Sequence, residues 1–108
     1  MTVKHDQGKP DYSLLTRGML EPMVRALMFG EKKYSRHNYK TGFKNTRLTA
    51  AALRHILAYQ DGEDNDPESG LSHLAHAMVA LGMLLDNSAN GVLEEGRYAL
   101  PDETLSRT

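Results

Sequence analysis

The sequence predicts an all-α protein, a small helical bundle of about three main helices that completes its core by oligomerisation. Apolar residues recur at steps of three and four in three separate segments, which is the spacing of amphipathic helices. Glycine, proline and short polar clusters separate these segments, as expected for the connections between helices. A chain of 108 residues forms one domain with a modest core, so partner chains would help it to bury apolar surface.

The N-terminal part predicts an arm followed by the first helix. Residues 1–17 are polar and interrupted by glycine and proline, and the arm ends in a short apolar patch at Tyr12, Leu14 and Leu15. The first helix is expected over residues 18–34, with Pro22 in its first turn, where a missing amide hydrogen costs nothing. Glu21 would then lie near the helix start, where free amide groups favour a carboxylate.

The second and third helices are predicted from their capping residues. The second should run over residues 46–60, with Asn45 or Thr46 as its cap and Gly62 at its end. Asp66-Pro67 predicts the start of the third, because an aspartate cap followed by proline favours a helix N-terminus.

The third helix is expected to end near Asp86, and its apolar stripe predicts a core or a helix-pairing seam. The stripe consists of Leu71, Leu74, Met78, Leu81 and Leu85. Residues 1–88 are therefore predicted to form the domain, and residues 89–108 a loose C-terminal tail.

Residues 35–45 lack helical periodicity and predict a loop between the first two helices. Arg and Lys bind phosphate oxygens and aromatic rings stack on bases, so the loop suits a phosphate chain and a base. The alternative is a charged surface loop without a ligand. The basic residues are Lys32, Lys33, Arg36, Lys40, Lys44 and Arg47, interleaved with Tyr34, Asn38, Tyr39 and Phe43.

Five carboxylates lie in the predicted turn between the second and third helices, in the sequence D-G-E-D-N-D-P-E from residue 61 to residue 68. Oxygen ligands suit Mg²⁺ and Mn²⁺, and a nearby imidazole shifts the preference toward Mn²⁺ or a later metal. The spacing differs from that of an EF-hand. The cluster thus predicts a metal site or, alternatively, a solvated acidic turn in which Asp66 only caps a helix.

Three histidines, His55, His73 and His76, lie on two consecutive helices that a short turn would bring antiparallel, facing the acidic turn. They suit metal binding or general-base catalysis, although a helical histidine is more often a packing residue. The sequence has no H-E-x-x-H motif and no glycine-rich phosphate loop. Any nucleotide would therefore be bound by helices and loops.

The overall composition excludes several classes of protein. The net charge of −1, from 13 basic and 14 acidic residues, argues against a partner bound by bulk charge, such as a nucleic-acid polymer or a membrane surface. Without cysteine, disulfides and thiolate chemistry are excluded. The polar N-terminus predicts no signal peptide, and no apolar run approaches the ~18 residues of a membrane span. A soluble, cytoplasmic protein is expected.

An ordered series of motifs carries a family resemblance. The motifs are K-P-D-Y-S-L-L (9–15), G-E-K-K-Y (30–34), N-Y (38–39), R-H (54–55), G-E-D (62–64), D-P-E-S-G-L (66–71) and H-L-A-H-A (73–77). The series, spread over roughly residues 4–88, resembles the small, mostly phage-encoded dATP/dGTP diphosphohydrolases, which are related to the all-α MazG-like nucleoside triphosphate pyrophosphatases. The resemblance implies a metal-dependent helical oligomer, a dimer or tetramer, that cuts a purine (deoxy)nucleoside triphosphate between its α- and β-phosphates.

The resemblance also implies a set of site residues and Mg²⁺ or Mn²⁺ as the cofactor. Metal ligands are expected at Glu63, Asp64 and Glu68, with His73 as a ligand or a neighbour of the metal, and the family pattern also points to Asp66. His55 or His76 would take a proton from the attacking water. The substrate would contact Lys9, Lys33, Tyr34, Asn38, Tyr39 and Arg54.

The sequence departs from the family pattern at the metal site. MazG-like enzymes hold metals with E-x-x-E and E-x-x-D pairs on facing helices, and neither pair lies in that form on the helices expected here. His73 and His76 stand near the place of an E-x-x-D pair. Tyr39 stands where the family often has tryptophan, and Glu31 where it has a small residue.

Alternative functions are also compatible with the sequence. A binding module of the same fold would hold a nucleotide or a nucleotide signal without cutting it, and a purely structural helical protein would use neither polar cluster. An HD-type phosphohydrolase is disfavoured, because it needs adjacent His-Asp ligands and the pair His5-Asp6 lies in the arm.

Overall fold

The computed structural model describes residues 7–34 and 45–90 of the chain. These residues form a short 3-10 helix, Tyr12–Leu14, and three α-helices: α1 (Arg17–Lys33), α2 (Asn45–Gln60) and α3 (His73–Ala89). Helix α3 packs against both α1 and α2, and most extensively against α2. The described ranges contain no β-strand, only an isolated antiparallel bridge between Asn65 and Ser72. The predicted all-α class with three main helices is confirmed.

Helix α1 begins one residue earlier than predicted, because Thr16 caps it. The Thr16 hydroxyl accepts a hydrogen bond from the Met19 amide at 3.2 Å. Counted from Arg17, Pro22 is the sixth residue and lies inside the helix rather than in its first turn, and the prediction for Pro22 and Glu21 is wrong. Glu21 instead forms an ion pair with Arg25, one turn further along, at 2.8 Å.

Helix α2 ends in a Schellman motif, which confirms the predicted role of Gly62. Gly62 has a φ angle of +104°, a left-handed conformation that glycine adopts without steric cost. Its amide donates to the Tyr59 carbonyl at 3.0 Å, and the Glu63 amide donates to the Ala58 carbonyl at 3.0 Å. The motif turns the chain at Gly62 and fixes where Glu63 leaves the helix.

Helix α3 begins at His73, six residues after the predicted start, so the prediction from Asp66-Pro67 is wrong. Ser72 is the cap, and its hydroxyl accepts two first-turn amide hydrogen bonds at 3.0 and 3.4 Å. The carboxylate of Asp66 accepts the Ser69 amide at 3.0 Å instead. Gly70, with a φ angle of +74°, donates to the Asp66 carbonyl at 2.7 Å. The chain therefore forms a closed turn over residues 66–71 before the helix starts.

The interior of the described chain is built mainly from alanine. Its buried apolar residues are Ala26, Leu48, Ala52, Ala75, Ala77 and Ala80. Larger apolar side chains of all three helices are exposed, among them Val24, Leu27, Met28, Leu53, Ile56, Leu57, Leu74, Met78, Leu81 and Leu85. Much of the predicted α3 stripe thus faces outward in the single chain, and its role as a core completed by partner chains or as a helix-pairing seam stays a prediction.

A membrane span was not expected from the sequence. None of the helices in residues 7–34 and 45–90 combines the length and the apolar character that crossing a bilayer requires.

Candidate functional site

The three histidines meet where α2 and α3 pack against each other. His55 lies on α2, and His73 and His76 lie in the first turn of α3. The Nδ1 atoms of His55 and His73 are 2.8 Å apart. The rings of His55 and His76 are stacked, with centroids 4.8 Å apart and planes inclined by 15°. His73 is 4% exposed, and the other two are half-buried. The convergence expected from their helical positions is confirmed.

Asp66 joins two of these histidines in a group with metal-binding geometry. His55, Asp66 and His73 each offer one ligand atom, and the three atoms lie within 4.8 Å of one another. Asp66 comes from the turn over residues 66–71, which its own hydrogen bonds with Ser69 and Gly70 hold in shape. Two imidazoles and one carboxylate are a common ligand set for divalent cations.

Glu63 fixes the ring of His73. His73 Nε2 lies 2.7 Å from Glu63 Oε1, and the nitrogen must be the donor because a carboxylate only accepts. In the neutral ring Nδ1 is then unprotonated, and it either accepts from Nδ1–H of His55 or offers its lone pair to a cation. A histidine whose second nitrogen donates to a carboxylate is the usual arrangement at metal sites.

Ser69 connects His76 to Asp66. Ser69 Oγ lies 2.7 Å from His76 Nε2 and accepts the Leu71 amide at 3.1 Å. In the tautomer with its proton on Nε2, His76 donates this hydrogen bond to the Ser69 hydroxyl. In this tautomer the Nδ1 lone pair of His76 is left for a proton.

The charge states of the cluster follow from burial and hydrogen bonding. Burial, with the repulsion that protonated His76 and His73 would exert, lowers the pKa of His55 below 6.5. Burial also lowers the pKa of His76, against the opposing effect of Asp66. Burial raises the pKa of Asp66, but the hydrogen bonds from Ser69 outweigh it and the pKa is lowered from 3.8. At neutral pH, His55 and His76 are therefore neutral and Asp66 is ionised.

A cavity of about 270 Å³ opens beside the cluster, between all three helices. Its lining includes the cations Lys33, Arg47 and Arg54. Lys33 Nζ is 2.7 Å from the Glu68 carboxylate, and this contact raises the pKa of Lys33. The lining also includes the apolar residues Phe29, Leu48, Val79, Ala80 and Met83.

The structure distributes the four predicted metal ligands differently. His73 belongs to the group with His55 and Asp66. Glu63 contacts His73 Nε2 and does not belong to the group of three ligands. Glu68 forms an ion pair with Lys33. Asp64 contributes its main-chain carbonyl, which accepts the His73 amide at 2.9 Å.

The predicted substrate-binding residues are also only partly together. Lys33, Tyr34 and Arg54 line the cavity. Lys9 is exposed in the N-terminal arm and is not among the residues that line it. Asn38 and Tyr39 lie outside the described residues.

Sequence reasoning missed two residues that border the cluster. Phe29 meets the His76 ring edge-on, with centroids 6.1 Å apart and planes at 82°. It lies four residues before Lys33, on the same helix face, and that spacing was the available signal. Ser69 carried no comparable signal, because its role depends on the shape of the turn.

Comparison with known proteins gives a family. The family model described as dATP/dGTP diphosphohydrolase, N-terminal, matches residues 2–97. A curated dATP/dGTP diphosphohydrolase of Salmonella phage PMBT28 is 43% identical over 79 residues, which cover 73% of this chain and 27% of the relative. The chain thus spans about a quarter of the length of that relative. No solved structure matches. The chain belongs to the dATP/dGTP diphosphohydrolase N-terminal family.

Proposed function

We propose that the protein hydrolyses a purine deoxynucleoside triphosphate, dATP or dGTP, to the monophosphate and pyrophosphate, with Mg²⁺ or Mn²⁺. The family and the name of the phage relative support the substrate class. The observation that carries the proposal is that a metal-binding group and three cationic side chains adjoin one cavity. Metal ions and cations together are what a polyphosphate substrate needs.

The cations that line the cavity suit the phosphate chain. Arg47 and Arg54 carry planar guanidinium groups that bind phosphate oxygens two at a time, and Lys33 adds a point charge. Glu68 forms an ion pair with Lys33 at 2.7 Å, which limits the motion of the ammonium group. The apolar residues of the lining, which include Phe29, offer a surface for the purine base.

In the proposed reaction, water attacks the α-phosphorus. The new bond joins the water oxygen to that phosphorus, the bond to the bridging oxygen of the β-phosphate breaks, and pyrophosphate leaves. A divalent cation held by the cluster would acidify the water and neutralise phosphate charge. His76 takes the proton on Nδ1, since Ser69 occupies its other nitrogen and its lowered pKa keeps it neutral at pH 7.

We also propose that copies of this chain associate, as a dimer or tetramer. The apolar faces of all three helices are exposed in the described residues, while the interior is mostly alanine. A cavity of about 270 Å³ is at the small end for a ligand of this size, so a neighbouring copy would add to its walls.

Light scattering after gel filtration tests this association. Leu81→Glu and Leu85→Glu place a charge on the exposed stripe of α3 and should reduce the molar mass to that of a monomer. Ser88→Glu adds the same charge at an exposed polar position of α3 and should not. A wild-type monomer at micromolar concentration would contradict the proposed assembly.

A product assay tests the reaction. The four deoxynucleoside triphosphates are incubated separately with the protein and Mn²⁺ or Mg²⁺, and the products are separated by ion-exchange chromatography. We expect monophosphate and pyrophosphate from dATP and dGTP. Arg54→Ala should reduce the rate at least tenfold, whereas Arg25→Ala, outside the cavity, should not. Release of single phosphate, or of nucleoside, would overturn the proposed cut.

The same assay addresses the binding-module alternative. Recovery of intact nucleotide, together with saturable binding measured by calorimetry, would mean that this chain holds its ligand without cutting it. Intact nucleotide without measurable binding would contradict both hypotheses.

A further inference from the structure

We infer that His55, Asp66 and His73 form a metal site that selects Mn²⁺ and later first-row divalent metals over Mg²⁺. The site thereby differs from the all-carboxylate sites of the MazG-like enzymes that the sequence resembles. This inference deepens the proposed function and rests on it only for the site's role in hydrolysis, because metal selectivity is measured without a substrate.

The kind of ligand decides the preference. Mg²⁺ requires oxygen ligands in near-ideal octahedral geometry, whereas imidazole suits manganese, iron, cobalt, nickel and zinc. The group offers two imidazole nitrogens and one carboxylate oxygen. The neighbouring Glu68 carboxylate is engaged by Lys33 at 2.7 Å, so it is not placed to convert the group into an oxygen site.

The distances fit one cation held between the three side chains. Two ligands at right angles on an ion with bonds of about 2.1 Å lie about 3.0 Å apart. The Nδ1 atoms of His55 and His73 are 2.8 Å apart, close to that value. Two ligands on opposite sides of the ion would lie about 4.2 Å apart. All three ligand atoms lie within 4.8 Å of one another. The three ligand atoms thus lie at separations near those around one cation.

The surroundings of the group are those of a metal site. Glu63 accepts from His73 Nε2 at 2.7 Å, which orients the ring and leaves Nδ1 to the cation. His73 is 4% exposed, so its ring is held on all sides. The Ser69 amide fixes one oxygen of Asp66 at 3.0 Å, which limits the motion of the carboxylate. These contacts place His73 and Asp66 before any ion arrives.

Metal titrations of the metal-free protein test the inference. Mg²⁺, Mn²⁺ and Co²⁺ are titrated separately by calorimetry, with the free Mn²⁺ signal in electron paramagnetic resonance and the visible absorption of Co²⁺ as independent readouts. We expect one Mn²⁺ or Co²⁺ per chain, bound about a hundredfold more tightly than Mg²⁺. Equal affinity for Mg²⁺ and Mn²⁺ would overturn the inference, as would Co²⁺ absorption without nitrogen-ligand character.

Substitutions then locate the site. His55→Gln and Asp66→Asn should each weaken Co²⁺ binding at least tenfold, and Asp66→Asn keeps an acceptor for the Ser69 amide. Asp64→Asn and Glu68→Gln are the matched controls and should leave binding within threefold. Circular dichroism and thermal unfolding establish that each variant folds. Loss of binding in the controls, with binding retained in His55→Gln, would show a carboxylate site and a merely hydrogen-bonded histidine pair.

The outcomes also separate this inference from the proposed function. Tight Mn²⁺ binding at the histidines without hydrolysis would leave the inference standing and remove the function. Hydrolysis supported by Mg²⁺ in His55→Gln would do the reverse.

Discussion

Replacement of Glu63 distinguishes an orienting role from direct metal binding. The sequence suggested that Glu63 is a metal ligand, whereas the structure places its carboxylate 2.7 Å from His73 Nε2. If Glu63 orients His73, glutamine can substitute for it, because an amide oxygen also accepts the hydrogen bond. If Glu63 binds the cation directly, glutamine loses the charged oxygen and is as harmful as alanine.

The expected magnitude follows from the exposure of this contact. Loss of the orienting partner of a metal-binding histidine typically weakens metal affinity 10- to 100-fold. The Glu63 side chain is 54% exposed, so water can replace the lost acceptor and the effect should fall at the lower end. We expect Glu63→Ala to weaken Mn²⁺ binding about tenfold, or about 1.4 kcal/mol. Glu63→Gln keeps a neutral acceptor and should stay within about threefold.

Calorimetric titration with Mn²⁺ measures both variants, with Asp64→Asn as the control. Asp64 lies beside Glu63, and its contact with His73 uses the main chain, which the substitution leaves in place. Equal losses in Glu63→Gln and Glu63→Ala would refute the orienting role and restore Glu63 as a ligand. No loss in either variant would show that His73 needs no partner.

Three further predictions concern stability and the proton acceptor. Gly62→Ala should lower the free energy of unfolding by about 1 kcal/mol, because φ is +104° at that position. Gly30→Ala, inside α1, should raise the free energy of unfolding by up to about 1 kcal/mol. Urea unfolding measures both changes. Ser69→Ala should lower kcat about tenfold and alter the pH–rate profile, with Ser69→Thr restoring both; an unchanged profile would rule out the Ser69–His76 contact in catalysis. Because burial lowers the pKa values of His55 and His76, the unfolded chain binds more protons than the folded chain below pH 6.5. The free energy of unfolding of the metal-free protein, measured in urea, should therefore fall as the pH falls through that value. A free energy of unfolding that does not change with pH would contradict this prediction.

The helices were largely predictable because local chemistry sets them. Apolar spacing and the left-handed glycine at Gly62 located α2 to within a residue, and Thr16 moved the start of α1 by only one residue. Asp66-Pro67 misled because several residues near the start of α3 are able to cap it. Ser72 prevails since the side chain of Asp66 is used inside the turn.

The residues of the candidate site could largely be predicted from the sequence, but the contacts between its carboxylates and histidines could not. Helical spacing placed three histidines near a carboxylate cluster. Which carboxylate meets which histidine depends on the path of the chain from Gly62 to Ser72, and residue spacing does not encode that path. Asp66, expected to cap α3 or to belong to the acidic metal cluster, joins the histidines, whereas Glu63, expected to bind the metal, contacts one of them.

The buried alanines set the distances between the helices but contribute little to the stability of the fold. Small residues leave room for side chains of the neighbouring helix, as at Gly82, where an added Cβ would lie 3.0 Å from the Met23 side chain. Such an interior holds the histidines of α2 and α3 at a defined separation, yet alanine methyl groups gain little free energy from burial. Most of the chain's capacity for apolar burial lies instead on its outer helix faces. If a second copy covers those faces, protein concentration governs folding by mass action, and the cell controls the integrity of the site through the amount of protein it makes.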